Sequence, residues 1–121
     1  MVDVDQAQLK ARTARFALNV LEYCRTIRST WEGRRLGEQL FDSATSVAAN
    51  YRSACRGRSK AEFVAKLGIA VEEADETGFW LGLASSANLG NSEVRANLLT
   101  EARELLAILA ASQLTAKYGR R

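Results

Sequence analysis

The chain has 121 residues, a formal net charge of +3 and 47% hydrophobic residues, which suits one folded domain and gives no sign of intrinsic disorder. It has no histidine, which removes Ser-His and Cys-His catalysis and His-containing zinc or di-iron sites. No apolar stretch reaches the roughly 18 residues that cross a bilayer.

Proline is absent and alanine is abundant. Proline costs about 3 kcal/mol inside a helix and alanine is the best helix former, so the expectation is an all-α fold. The start, Met1-Val2-Asp3-Val4-Asp5, has acids and no apolar core, so it does not read as a signal peptide, and the expected compartment is cytoplasmic. The pI of about 9.1 allows anionic partners without requiring them.

Four segments carry apolar or small residues at helical spacing. The first predicted helix, about 5–29, lines one face with Leu9, Thr13, Phe16, Val20, Tyr23, Cys24 and Ile27. Trp31-Glu32-Gly33 is expected to separate it from the second, about 34–56, which uses Leu36, Leu40, Ala44, Val47, Tyr51, Ala54 and Cys55. Gly57 is expected to end that helix in a left-handed conformation. Ser59-Lys60-Ala61-Glu62 is a capping-box pattern that opens the third, about 59–88, with Phe63, Leu67, Ala70, Val71, Ala74, Gly78 and Leu81 as its stripe. Asn88-Leu89-Gly90-Asn91-Ser92 closes it and caps the fourth, about 92–117, which follows Val94, Leu98, Ala102, Leu105, Leu109 and Ser112. Connections this short make neighbouring helices antiparallel. The fold predicted for residues 1–121 is therefore a single antiparallel up-down-up-down four-helix bundle.

Two features exceed what a monomeric bundle needs. The second helix is rich in small residues, from Ser43 and Ala44 to Ser53 and Ala54. The third is apolar in almost every direction, with Phe79, Trp80, Leu81 and Leu83 in one turn and a half. A helix apolar all round is buried all round, so the pattern points to a homo-oligomer.

Arg52, Arg56, Arg58 and Lys60 are the candidate nucleic-acid grip, with Arg34 and Arg35 counted in the same basic stretch. Arginine's planar fork suits phosphate. The competing reading is a solvated helix end, where cations favour the macrodipole by up to about 1 kcal/mol.

Glu72-Glu73-Ala74-Asp75-Glu76 concentrates acid on one helix. Bundle metal sites draw carboxylates from several helices, and pairing about the 57–59 corner sets this run against Asp42 and Ser43, so no metal or other cofactor is expected. Asn50 sits one residue off the seam and is expected to hydrogen-bond at a helix interface. Asn50, Glu72, Glu73, Glu76, Phe79 and Trp80 are the candidate subunit-interface residues. Cys24 and Cys55 are expected about 20 Å apart along the bundle, beyond disulfide reach. Neither has a base beside it, and the protein is expected not to be an enzyme.

The segments T-S-V-x-A-N-Y-R-x-A-C-R-x-R-S-K-x-E-F, from Thr45 to Phe63, and E-E-x-D-E-T, from Glu72 to Thr77, resemble the bacterial four-helix-bundle family of proteins encoded in intervening sequences of large-subunit ribosomal RNA. The similarity runs from about Leu9 to Lys117. It implies an up-down bundle that assembles into a ring-shaped homopentamer, with no catalytic residue to carry over. A distant similarity to basic, nucleic-acid-binding accessory proteins of diversity-generating retroelements is not carried over, since this chain is less basic. The expected partner is therefore the protein itself, with RNA or DNA as the alternative.

Overall fold

A computed structural model describes residues 5–119 as four helices: α1 (Gln6–Thr26), α2 (Trp31–Cys55), α3 (Lys60–Ser86) and α4 (Ser92–Tyr118), with no strand among the described residues. Each helix begins at a side chain that accepts from one of its own orphan amides. Asp5 accepts from Gln8, Thr30 from Gly33, Ser59 from Glu62 and Asn91 from Val94, at 3.0–3.1 Å.

Contacts fix the directions of the helices. The Gln113 side chain reaches the Val64 carbonyl at 3.3 Å, and the two residues are nearly equidistant from the α3–α4 connection. Ser43 and Thr77, on either side of the α2–α3 corner, meet at 2.9 Å. Tyr23 near the end of α1 bonds Leu89 just before α4, while Arg12, earlier in α1, bonds Glu101, later in α4. Those spacings are what antiparallel neighbours give. The α2–α3 corner therefore shares one end of the bundle with the start of α1 and the end of α4. The α1–α2 and α3–α4 connections share the other.

The core runs the length of the bundle through Phe16, Val20, Tyr23, Leu40, Val47, Tyr51, Leu67, Leu81, Leu105 and Leu109, all at most 2% exposed. Burying side chains of this size contributes roughly 1.5–3 kcal/mol each. Two hydroxyls join it. Thr77 Oγ1 lies between Ser43 Oγ and the Glu73 carbonyl, and Ser43 donates to the Leu40 carbonyl, so neither is left unpaired in the core.

Three local expectations are corrected. Trp31-Glu32-Gly33 does not separate helices but is the first turn of α2, capped by Thr30. Gly33 reads as a breaker, yet it is a packing point: a Cβ there would lie 1.8 Å from the Ile27 carbonyl oxygen. Gly57 is not left-handed, since among the described residues the positive-φ positions are Asn88, Gly90 and Gly119. Glycine suits position 57 because a Cβ would press on the Ala54 oxygen at 3.0 Å and the Phe63 nitrogen at 3.2 Å, both backbone. Val94 leaves the predicted stripe, being 42% exposed, and Arg95 is buried at 4% in the same turn.

Candidate functional site

The α2–α3 corner carries the predicted cations. Arg52 and Arg56 stand four residues apart on the outer side of α2, Arg58 lies in the connection, and Lys60 opens α3; all four are exposed. None forms an ion pair among the described residues. Tyr51, next to Arg52, is 1% exposed and offers no stacking surface; at this end of the bundle the exposed aromatic among the described residues is Tyr118, 73% exposed at the end of α4. Arg34 and Arg35 do not belong to this group. They lie in the first turns of α2, and its 25 residues extend about 37 Å, so they stand at the opposite end.

The side of α3 turned away from the core holds the second group. Its buried residues are Leu67, Ala70, Ala74, Thr77, Leu81 and Ala84. On the opposite side lie Ile69, Glu72, Glu76, Phe79 and Leu83, spaced three or four residues apart. Phe79 is 60% exposed, Leu83 43% and Ile69 41%. Trp80 is half-buried; its indole donates to Glu76 at 3.3 Å and its ring meets Phe79 edge-on at 5.0 Å.

Glu73 differs from its neighbours. It is half-buried at the α2–α3 seam, within reach of Ser46 and Asp42 on α2. Burial raises its carboxyl above the usual range; the Glu76, Glu72 and Asp42 charges add to this, and the Ser46 hydroxyl opposes it. Asn50 bonds locally: its amide donates to the carbonyl and hydroxyl of Ser46, one turn earlier in α2, both at 2.9 Å, so within the monomer it bridges no two helices.

Among the described residues no group of three or more Cys, Asp or Glu is placed to hold a metal ion. Both cysteines are free and half-buried. Cys24 donates to the Gly37 carbonyl at 3.5 Å, and burial pushes its thiol up to about 11, which keeps it neutral.

Two further clusters went unread in the sequence. Arg12 forks onto Glu101 with two bonds of 2.7 Å and reaches Glu104 at 3.0 Å, tying α1 to α4. Arg95 caps the end of α3. There Asn88 is left-handed (φ 56°), Leu89 N–H returns to Ala84 and Asn88 N–H to Ser85, the two bonds of a Schellman turn. The carbonyls of Leu89 and Gly90 remain. Arg95 Nη1 donates to both, and the Tyr23 hydroxyl adds a 2.8 Å bond to Leu89. Gly90 (φ 73°) fits beneath Tyr23, where a Cβ would lie 2.9 Å from the ring. A helix-ending motif whose carbonyls need donors, with an arginine one turn into the next helix, was the available signal.

The model of the 23S rRNA-intervening sequence protein family matches residues 6–111. The chain belongs to that family. A comparison with curated proteins gives no match. A crystal structure of a protein of unknown function from the S23 ribosomal protein family of Bacteroides thetaiotaomicron is similar over 91% of this chain and 98% of the other, at 26% identity and a TM-score of 0.84. The 23S rRNA-intervening sequence protein match covers α1 to α3 and α4 as far as residue 111, so both the basic corner and the outer face of α3 lie inside it. Among the described residues no helix is long and apolar enough to cross a membrane.

Proposed function

We propose that the protein is a non-enzymatic scaffold that self-associates through the side of its bundle into a homopentamer. The observation that carries this is the outer face of α3. Ile69, Phe79 and Leu83 are 41%, 60% and 43% exposed on the side the monomer leaves uncovered. Phe79 and Leu83 lie one turn apart and form a contiguous apolar patch, the kind of surface that supports an interaction site. Glu72 and Glu76 on the same face have no cation partner among the described residues, so a second copy that brings arginine or lysine to them also fixes the register. The small residues of α2, with Asn50 and Thr45 half-buried and Ala49 exposed, let a second backbone approach closely. The number five rests on the family resemblance. The non-enzyme reading rests on the lack of histidine and on the neutral Cys24 thiol.

Light scattering tests the assembly. Five chains of 13.3 kDa give about 66 kDa. Phe79→Ser with Leu83→Ser is expected to yield monomer with helix content intact. A wild-type mass of one chain at micromolar concentration refutes self-association; another multiple refutes the pentamer alone.

A second reading has a specific observation behind it: Arg52, Arg56, Arg58 and Lys60 are exposed together and unpaired among the described residues, as a grip on RNA or DNA phosphate requires. Binding would weaken with salt by roughly 0.7–0.9 log units per phosphate for each log unit of salt. Nucleic-acid affinity unchanged by Arg52→Ala, Arg56→Ala and Arg58→Ala combined would sink it.

A further inference from the structure

The opposite end of the bundle sets an exposed tryptophan beside arginines of the same helix start. Trp31 begins α2, yet its side chain does not serve the fold: the cap is Thr30, and Trp31 is 71% exposed. Arg34 and Arg35 lie three and four residues along, on the same side of the helix as the indole. Next to them, between the end of α1 and the start of α2, runs a groove of about 370 Å³. Its floor includes Cys24, Gly37 and Phe41, and Arg25, Arg28 and Arg34 line it. The thiol on that floor is neutral, pushed up to about 11 by burial, so the floor carries no charge against an anion.

Three of the four arginines here are free to meet one. Arg35 is held by Glu38 at 3.7 Å, which also keeps that groove-lining carboxylate partly neutralised. Arg34 spends one Nη1 bond on the Arg28 carbonyl at 3.1 Å and retains its other donors. Arg25 and Arg28, one turn apart at the end of α1, form no ion pair among the described residues. The other acids at this end are Glu32 beside Trp31, Glu22 one turn before Arg25 and Glu93 in the first turn of α4.

We propose that this tip binds single-stranded nucleic acid, with Arg25, Arg28 and Arg34 on consecutive phosphates and an unpaired base stacked on Trp31. Guanidinium forks suit phosphate oxygens, and an exposed indole offers a base the flat face that a paired strand cannot use. A purely protein partner would use the tryptophan but leave three arginines without a stated role. Trp31 lies about 31 Å along α2 from Arg52, so the site does not depend on the corner reading.

The test is anisotropy of a labelled 20-nucleotide single-stranded RNA with the full chain, at two salt concentrations. Trp31→Ala is expected to lower affinity roughly tenfold or more, the loss of one stacked base, and Trp31→Phe to restore most of it. Arg25→Ala with Arg28→Ala should reduce the salt slope by about 1.4, two phosphates on a single strand. A duplex of the same sequence should show no dependence on Trp31. Arg52→Ala, Arg56→Ala and Arg58→Ala combined should leave the Trp31 effect intact, whatever that triple does to total affinity. The proposal is overturned if Trp31→Ala and the Arg25/Arg28 pair bind like wild type. It is equally overturned if uridine monophosphate competes as tightly as the strand, or if Trp31→Ala instead changes the light-scattering mass. Circular dichroism melts of each variant keep unfolding from passing as lost binding.

Discussion

Arg95→Met tests whether the α3–α4 end is held by a buried cation. The wild-type guanidinium donates to the Leu89 and Gly90 carbonyls, with a longer 3.4 Å approach to Asn88 Oδ1. Bonds from a charged donor contribute roughly 1.5–3 kcal/mol each. Against this, the side chain is 4% exposed, forms no ion pair among the described residues, and its Nε has no partner there. Burying such a charge costs several kcal/mol, which offsets only part of that gain. Methionine keeps much of the volume and removes the charge. Water can reach the carbonyl of exposed Gly90, and Leu89 keeps its Tyr23 bond. The net expectation is a loss of about 2 kcal/mol, about 8 °C in Tm for a chain of this size at fixed protein concentration.

A double-mutant cycle sharpens the claim. Tyr23→Phe alone should cost about 1 kcal/mol, one hydroxyl bond. Together the two changes strip both donors from the Leu89 carbonyl, so the double variant should lose about 1 kcal/mol more than the sum. Urea midpoints at constant m-value measure this. Tyr23 supplies an independent readout. Burial raises its phenol, and the charge and hydrogen bond of Arg95 hold it down; in Arg95→Met it should titrate still higher in an ultraviolet absorbance titration. Wild-type stability in Arg95→Met, additivity within about 0.3 kcal/mol, or an unmoved Tyr23 would refute the account.

Other variants test the remaining contacts. Glu73 has a raised folded-state pKa, so its neutral form is the favoured one, and its effect on stability is most favourable below the unfolded carboxyl's value of about 4.3 and worsens as pH rises through the folded value. Glu73→Gln should therefore be more stable than wild type at pH 7 and lose that advantage below about pH 4; equal melts at both pH values would count against it. The Arg12–Glu101 fork is about one-third exposed on both sides, and a cycle of Arg12→Ala with Glu101→Ala should give a coupling of about 1 kcal/mol that shrinks in 1 M salt. Gly57→Ala should cost about 1 kcal/mol through contact with the Ala54 and Phe63 backbone, and a stabilising effect would show that the corner yields.

The seams of α1 and α2 were legible because large apolar residues recur every three or four positions and the core takes them all. The α3 seam was less so. Thr77 and Ser43 look like surface residues, and their burial depends on meeting each other across the corner, which no single-helix pattern shows. Arg95 was hidden for the same reason: its place is set by carbonyls that the preceding helix leaves over and by a tyrosine from α1. Val94 shows the reverse error, an apolar residue at the right spacing that the first turn of α4 points outward while Arg95 turns in. Arg34 and Arg35 were grouped with Arg52 by closeness in sequence, but a helix separates what it connects.

That separation has a consequence for the proposed assembly. The uncovered face of α3 runs along the side of the bundle, between Ile69 and Leu83. The arginine clusters lie at its two ends, Arg52 to Lys60 at one and Arg25 to Arg35 at the other. Association through the side, as proposed, leaves both ends uncovered and arrays several copies of each around one axis. Weak phosphate contacts at one protomer then act together on a single strand, because the second contact is made at the high effective concentration set by the first. Breaking the assembly with Phe79→Ser and Leu83→Ser should therefore weaken binding of a long single strand more than binding of one short enough to reach a single protomer. Equal losses for both lengths would mean that each tip acts alone.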